Sequence, residues 1–253
     1  MKPLIMGILN TTPDSFFDGG KYNSLDAALK RAENILAQGG DIIDVGGQST
    51  RPGCEQITDE EETRRTAPVI KEIKKKFKNA LVSVDTFNYG TALAALESGA
   101  SIINDVSGLA DERLAHLAAK YKAKLVIMHM RGTPQGRQTL SEYQNIIKEI
   151  KDFFEEKTAR ACACGLDKKD IILDPGLGFA KTRDQNWFLL ENLKSFKSLK
   201  MPLLIGASRK SFTDKTLELS LKAAKYAAEA EAEILRVHDV KETVSFLEGL
   251  NEK

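Results

Sequence analysis

The chain has 253 residues, of which 42% are hydrophobic and 29% are charged, a composition typical of a globular protein with a sizeable core. The 37 Lys and Arg residues against 36 Asp and Glu residues give a formal net charge of +1, which excludes a global field that would recruit nucleic acid or an anionic membrane. Three unevenly spaced cysteines exclude a disulfide framework, and with no export signal or long apolar segment they indicate a cytoplasmic protein without membrane partners.

Short apolar runs alternate with amphipathic helical stretches along the whole chain, which predicts a parallel sheet. The predicted strands span residues 4–9, 41–45, 81–84, 102–104, 124–128, 171–173, 203–205 and 234–237. The predicted helices span residues 24–38, 59–77, 89–98, 111–121, 141–164, 184–197, 215–230 and 241–251. This pattern predicts a closed (β/α)8 TIM barrel, an α/β fold, forming a single domain over residues 1–253. An open doubly wound sheet is the competing architecture, but no G-x-G-x-x-G follows the first strand.

The sharpest single feature is Asp174, which stands at the end of a short apolar run. Pro175, Gly176 and Gly178 then force the chain into a turn. An Asp that closes an Asx turn or caps the next helix would give the same local pattern. However, polar groups follow almost every predicted strand, and in a barrel the strand ends converge on one face. These groups are Asn10, residues 46–53, Asp85, Thr86, Asn104, Asp105, His129, Asp174, residues 208–210, His238 and Asp239.

This set of residues separates into two chemical kinds. The acceptors and amides Asp85, Asn104 and Asp174 suit a flat heterocycle that presents several N–H groups. The donors suit an anion, and they are Arg51, Lys210, Arg236 and His238. The sequence therefore predicts a ligand with a hydrogen-bonding ring at one end and negative charge at the other.

Two loops after predicted strands are long and polar, at residues 10–20 and 46–53. Most βα loops have about 2–6 residues, and longer ones are often lids over an active site. Closure of such a lid excludes water from the bound ligand, which matters if an intermediate is electrophilic.

Eight motifs in the chain are similar, in order and over nearly its whole length, to those of the dihydropteroate synthase family. They are Gly7-Ile-Leu-Asn-Thr-Thr-Pro-Asp-Ser-Phe16, Asp44-Val-Gly-Gly-Gln-Ser-Thr-Arg-Pro-Gly53, Ser83-Val-Asp-Thr-Phe87, Ile103-Asn-Asp-Val-Ser-Gly108, Met128-His-Met-Arg-Gly132, Asp174-Pro-Gly-Leu-Gly-Phe179, Gly206-Ala-Ser-Arg-Lys-Ser-Phe212 and Arg236-Val-His-Asp-Val240. The resemblance implies a TIM barrel that joins 6-hydroxymethyl-7,8-dihydropterin diphosphate to p-aminobenzoate in folate biosynthesis, with Mg²⁺ as cofactor.

The resemblance also implies a role for individual residues. The implied pterin-binding residues are Asp85, Asn104, Val106, Met128, Asp174, Phe179 and Lys210. The implied p-aminobenzoate-binding residues are Phe16, Thr50, Arg51, Pro52 and Ser211. The diphosphate would be held by Asn10, Arg51, Arg236 and His238, and the metal by Asn10. The residues expected to act in catalysis are Asp18, Arg51, Lys210, Arg236 and His238. Val106, Met128 and Phe179, taken alone, are more often simple core residues.

The sequence departs from the family pattern at four places, one of which is Asn88-Tyr89, where a charged residue is commoner. Gln48 stands where the family usually has Glu, and Ala180 replaces a frequent Gly. The stretch 213–233 is shorter than usual, lacks glycine and reads as one helix that runs almost directly into the last strand. Because the late helices form the dimer contact in this family, a homodimer is implied but weakened by this change.

Two alternative functions remain open at this stage. A methyltetrahydrofolate-type methyltransferase shares the barrel and an acidic pterin site, but its chemistry gives the cluster of Lys210, Arg236 and His238 no anion to bind. A catalytically silent pterin-binding protein is the other alternative, for which Gln48 and the shortened 213–233 stretch are the only hints.

Overall fold

The protein forms a barrel of parallel strands surrounded by helices. A computed structural model describes residues 2–11, 21–48, 56–132 and 140–251, with the backbone alone for residues 21–24 and 251. The strands within these ranges are β1 (Leu4–Asn10), β2 (Ile42–Gly46), β3 (Leu81–Asp85), β4 (Ile102–Asp105), β5 (Lys124–Met128), β6 (Ile171–Asp174), β7 (Leu204–Ile205) and β8 (Ile234–Val237). The α-helices are α1 (Lys21–Ala37), α2 (Asp59–Lys76), α3 (Tyr89–Glu97), α4 (Arg113–Tyr121), α5 (Ile146–Ala163), α6 (Arg183–Glu191), α7 (Leu217–Glu229) and α8 (Val240–Asn251).

All strand pairings are parallel, in the order β6-β5-β4-β3-β2-β1-β8-β7. The two outer strands of this order meet through one parallel bridge between Leu173 and Leu203, where the Leu173 amide donates to the Pro202 carbonyl at 2.9 Å. This bridge brings the barrel to near closure. The predicted (β/α)8 TIM barrel is thus confirmed, with strand limits within about two residues of the prediction.

Alternation along each strand divides the hydrophobic residues between two cores. One set points into the barrel and forms an apolar layer across its lower half: Met6, Ile42, Ile102, Val126, Ile172, Leu204 and Ile234. The neighbouring residues on the same strands, such as Ile43, Ile103 and Leu235, face the helices in a much larger core. Because both faces are covered, the strands are short and almost continuously apolar.

Several predicted helix limits differ from the structure, most of all in the second half of the chain. Helix α5 begins at Ile146 rather than at residue 141, because the Asn145 side chain caps it by accepting from the Lys148 amide. Helix α6 ends at Glu191, and a 3-10 segment, Leu193–Leu199, continues the chain. Within 213–233 the α-helix is limited to Leu217–Glu229, after a 3-10 turn at Ser211–Thr213.

No helix in the described ranges combines the length and the apolar character needed to cross a membrane.

Candidate active site

Polar side chains form a second layer inside the barrel, above the apolar one. On β2, β4, β6 and β8 the inward residue of the apolar layer is followed two positions later by a charged or amide residue. Since strand side chains alternate, these residues also point into the barrel. Together with the residue that ends β3 they form what we call the polar layer: Asp44, Asp85, Asn104, Asp174 and Arg236.

Arg236 joins two carboxylates of the polar layer. Its Nε donates to Asp44 Oδ2 at 2.7 Å, and its Nη2 donates to Asp85 Oδ2 at 2.5 Å. Burial raises the pKa of Asp85 to about 7, while the positive charge of Arg236 opposes this change. Burial lowers the pKa of Arg236, but the carboxylates of Asp44 and Asp85 more than offset this and raise it above its ordinary value. The guanidinium is therefore charged and held between β2 and β3.

Asn104 also donates a hydrogen bond to the carboxylate of Asp44. Its Nδ2 donates to Asp44 Oδ2 at 3.2 Å, so one oxygen of Asp44 accepts from both Asn104 and Arg236. The predicted ring-binding group Asn104 and the predicted anion-binding group Arg236 are therefore neighbours. The second carboxylate oxygens, Asp44 Oδ1 and Asp85 Oδ1, are buried and have no hydrogen-bond partner among the described residues.

Asp174 ends β6 and is buried, as the sequence predicts. Its Oδ1 accepts from the Gly176 amide at 2.7 Å, which leaves the other carboxylate oxygen for further donors. Gly176 has a φ of +69°, and a Cβ there would lie 2.0 Å from the His129 carbonyl oxygen, so this turn requires glycine. Burial raises the pKa of Asp174, and the nearby cation Lys210 opposes this most strongly.

Lys210 lies over the ring of Phe179. Its Nζ is 4.2 Å from the ring centroid and donates to the Leu177 carbonyl. Gly178 permits this approach, because a Cβ there would lie 2.8 Å from Lys210 Cδ. Phe179 also belongs to a small apolar cluster beside the polar layer, which contains Val106, Met128, Met130 and Phe179, with Phe87 packed against it.

His238 follows β8, and Asn10 is the last residue of β1. His238 Nδ1 lies 3.1 Å from Ser208 Oγ, which also accepts from the His238 amide at 3.1 Å. Asn10 is exposed, and its Oδ1 lies 3.7 Å from the point where a Cβ of Gly46 would be. Asp85 Oδ2 lies 3.7 Å from the same point. Because Gly46 has no side chain, Asn10 and Asp85 face each other across it.

Ser211 is exposed and opens the 3-10 turn that follows Lys210. Five predicted site residues lie outside the described residues: Phe16, Asp18, Thr50, Arg51 and Pro52.

Asp105 and His129, from the predicted set of strand-end groups, face away from the barrel interior. The Asp105 carboxylate accepts from the amides of Ser107 and Leu109, each at 2.7 Å, and closes the turn after β4. The His129 ring packs edge-on against Phe153 of α5, with centroids 4.9 Å apart. Both side chains stabilise the structure behind the polar layer instead of facing a ligand.

Lys181 is a partly buried lysine that the sequence motifs do not reveal. Its Nζ lies 3.0 Å from His129 Nδ1 and donates to the carbonyls of Gly176 and Phe179, each at 3.0 Å. Burial lowers the pKa of Lys181 to about 7 and that of His129 to about 2. Lys181 thereby fixes the loop that follows Asp174.

Asp44 is the other residue that the sequence analysis did not identify as part of the site. It lies inside β2 and not at its end, so a search of strand ends misses it. The alternation of Ile42 and Asp44 on one face of a buried strand is the signal that predicts its inward position.

The donor chemistry at Asn10 fits the Mg²⁺ ion that the resemblance implies. Mg²⁺ takes oxygen ligands and usually keeps several waters and substrate phosphates, with one or two ligands from the protein. The exposed Asn10 carries an amide oxygen of the kind that could serve as such a ligand. Within the described ranges, no group of three or more His, Cys, Asp or Glu residues forms a metal site by itself.

Comparison with known proteins agrees with this geometry. The family model described as "Pterin binding enzyme" matches residues 6–238. A dihydropteroate synthase of Synechocystis is 43% identical over 247 residues, covering 94% of this chain and 85% of the relative. A dihydropteroate synthase of Escherichia coli is 42% identical over 250 residues, covering 96% of this chain and 88% of the relative.

Solved structures superpose over almost the whole chain. A Clostridium difficile dihydropteroate synthase, determined in the presence of pteroic acid, has a TM-score of 0.92 and 40% identity, covering 99% of this chain and 96% of that one. The Yersinia pestis enzyme with a sulfonamide drug complex has a TM-score of 0.91 and 38% identity, covering 99% and 95%. A Xanthomonas albilineans enzyme with 4-aminobenzoic acid has a TM-score of 0.90 and 36% identity, covering 99% and 93%.

Proposed function

Because the chain belongs to the family of pterin binding enzymes, we propose that it catalyses the dihydropteroate synthase reaction of folate biosynthesis. In this reaction 6-hydroxymethyl-7,8-dihydropterin diphosphate and p-aminobenzoate give 7,8-dihydropteroate and diphosphate. The proposal rests on one observation, which is that Asn104 and Arg236 both donate a hydrogen bond to Oδ2 of Asp44. It brings groups for the pterin ring and for the diphosphate into the same barrel mouth.

The pterin ring binds to the carboxylates and the amide of the polar layer. Asp85, Asn104 and Asp174 are buried or nearly so, and Asp85 Oδ1 has no partner within the described residues. An aminopyrimidinone edge supplies N–H donors, which satisfy such acceptors without adding a charge. Val106, Met128 and Phe179 pack against the ring faces, and Lys210 donates to the ring edge.

The diphosphate binds to Arg236, His238 and Asn10. Arg236 donates to Asp85 in the structure, but pterin N–H groups compete for that carboxylate. Once the pterin is bound, Arg236 Nη2 can donate to a phosphate oxygen instead. The contact between Ser208 Oγ and His238 Nδ1 at 3.1 Å orients the imidazole ring of His238 for the anion.

The reaction breaks the bond between the pterin methylene and the diphosphate oxygen. The electron pair leaves with diphosphate, and the electron-rich dihydropterin stabilises positive charge on the methylene. Cations around the leaving group lower the barrier to its departure. The arylamine nitrogen of p-aminobenzoate, uncharged at neutral pH, then attacks the methylene and loses one proton. No covalent enzyme intermediate is needed.

p-Aminobenzoate binds at Ser211 and, as the resemblance implies, at Phe16, Thr50, Arg51 and Pro52. The resemblance assigns to Asp18 the developing positive charge on the methylene, and to Arg51 the carboxylate and the diphosphate. These assignments rest on the resemblance of the motifs, since only Ser211 falls among the described residues.

Asn10 would be the protein ligand of Mg²⁺, and the ion, when bound, would neutralise negative charge on the leaving group.

A homodimer through α7 and α8 is part of the proposal, although the short 213–233 stretch reduces the surface available to it. A sedimentation experiment that finds only monomer at micromolar concentration excludes the dimer. The cytoplasmic location predicted from the sequence remains a prediction.

The proposed activity is tested by incubating the protein with pterin diphosphate, p-aminobenzoate and Mg²⁺ and measuring diphosphate release. Release that requires p-aminobenzoate supports the proposal. Pterin binding without release indicates a catalytically silent protein, and methyl transfer from a methylated pterin to a corrinoid protein indicates the methyltransferase.

A further inference from the structure

The geometry points to Asp44 as a positioning residue that orients Asn104 for the pterin ring and Arg236 for the diphosphate. This inference rests on the proposed function for the identity of the two ligand groups. It concerns a residue that touches neither group directly but acts through the two side chains that do.

Asp44 is completely buried in the middle of β2, with an exposed fraction of 0%. A buried carboxylate is strongly unfavourable unless donors surround it. Here both donors come from other strands: Asn104 from β4 and Arg236 from β8. The carboxylate thus connects two strands that are not adjacent to each other in the sheet.

The contact with Asp44 fixes which end of the Asn104 amide is available to a ligand. A carboxylate paired with a guanidinium only accepts hydrogen bonds, so the end of the amide that faces Asp44 must be Nδ2. The opposite orientation would place two acceptor oxygens against each other. Oδ1 of Asn104 is consequently the end left for an N–H group of the pterin. Without Asp44, either end of the amide could face the ligand.

The same carboxylate fixes the plane of the Arg236 guanidinium. Asp44 accepts from Nε, which lies on one edge of the planar group, and Asp85 accepts from Nη2. These contacts use two of the five N–H groups of the side chain. If pterin binding displaces Nη2 from Asp85, the bond from Nε to Asp44 still holds the guanidinium in place for the diphosphate.

A double-mutant cycle on Asp44 and Asn104 tests this role. We would measure the Kd of 6-hydroxymethylpterin, which lacks the diphosphate, for the wild type, Asp44→Asn, Asn104→Ala and the double variant. In the wild-type background, Asp44→Asn should weaken binding by about tenfold or more, because the Asn104 amide loses its fixed orientation. In the Asn104→Ala background the same change should alter the Kd by less than about twofold.

A merely structural role for Asp44 would give equal losses in both backgrounds, and that additivity would overturn the inference. An unchanged Kd in Asp44→Asn alone would also overturn it. A wild-type protein that binds no pterin would refute the proposed function as well, so the two failures are distinguishable.

The matched control is Glu62→Gln, which also neutralises a buried carboxylate. Glu62 Oε2 accepts from Thr86 at 2.6 Å and from Asn88 at 2.9 Å, and the carbonyl oxygen of Gln can keep both bonds. The Kd of this variant should lie within about twofold of wild type. Asp44→Ser is measured in parallel in case Asp44→Asn does not fold, because its smaller side chain cannot clash with Asn104 or Arg236.

Inhibition by inorganic diphosphate tests whether Asp44 also positions Arg236. Its inhibition constant should rise several-fold in Asp44→Asn, while the KM for p-aminobenzoate should stay within about twofold. An equal change in both constants would indicate a general disturbance of the barrel and would count against a positioning role.

Discussion

Asp174→Asn is the substitution for which the structure gives the most definite expectation. Asp174 Oδ1 accepts from the Gly176 amide at 2.7 Å. In the variant, the amide oxygen must take this position, because an NH₂ group cannot accept from the Gly176 N–H. The NH₂ group is then directed to the place where the pterin presents its own donors. Asp174→Asn therefore replaces an acceptor by a donor and does more than remove a charge.

The size of the effect follows from this donor–donor conflict at a buried position. Asp174 is 5% exposed, so water cannot restore the lost hydrogen bonds easily. Loss of one partner of a buried, charged hydrogen-bonded pair costs about 2–5 kcal/mol. Since about 1.4 kcal/mol corresponds to tenfold in affinity, pterin binding should weaken by about 30-fold to about 4,000-fold. The folded state should lose little, because burial raises the pKa of Asp174 and the neutral amide avoids that desolvation.

Titration calorimetry with 6-hydroxymethylpterin, together with the thermal unfolding midpoint, measures the two quantities separately. Asp170→Asn is the matched control, since Asp170 precedes β6 at the opposite end of the barrel and its side chain pairs with the exposed Lys124 at 3.3 Å. The control should bind pterin like the wild type. A Kd for Asp174→Asn within about twofold of wild type would refute the role assigned to this carboxylate.

Three further predictions concern other parts of the site and its support. Lys210→Ala should reduce diphosphate release by more than about tenfold while the unfolding midpoint stays within a few degrees, and full activity would exclude Lys210 from the reaction. Ala180 has a φ of +48°, a conformation that glycine adopts more easily than alanine, so Ala180→Gly should change the unfolding free energy by less than about 1 kcal/mol. Ala123 is not in the left-handed region, so Ala123→Gly should lower the unfolding free energy by about 1.5 kcal/mol. Denaturant melts that show equal losses would contradict this difference. For His129, burial lowers the folded-state pKa to about 2, so only the unfolded state binds the proton as pH falls below about 6.5. His129→Asn should consequently gain about 2 kcal/mol relative to wild type between pH 7.5 and pH 5, and parallel pH profiles of the two proteins would rule out a neutral buried His129.

The sequence predicts the barrel and most of the ring of site residues because two local signals are strong. Apolar runs such as residues 171–173 end in a polar residue followed by turn residues, and parallel strands place these ends on one face. Asp85, Asn104 and Asp174 are found where this reasoning expects them. Val106, Met128 and Phe179 also share one cluster, although each alone is typical of a core.

The rest depends on which face of a strand a residue occupies and on contacts distant in sequence. Asn104 and Asp105 are adjacent in sequence, yet Asn104 points to Asp44 while Asp105 closes a turn behind the sheet. The order of residues at a strand end does not reveal this difference until the register of the barrel is known. The contacts of Lys181 with His129 and with two carbonyls are likewise visible only in three dimensions.

The charge distribution of the polar layer also explains how the site can fix the direction of its substrate. Asp44, Asp85 and Asp174 provide three carboxylates, while Arg236 is the cation bonded directly to two of them. In the proposed complex, the N–H groups of a neutral pterin ring would donate to the remaining oxygens of Asp85 and Asp174. A reversed substrate would bring the diphosphate against the same oxygens, and the repulsion between like charges would oppose this orientation. In the proposed site the carboxylates would therefore exclude the wrong orientation as well as bind the right one, and Asp174→Asn should weaken the discrimination between the two ends along with the affinity.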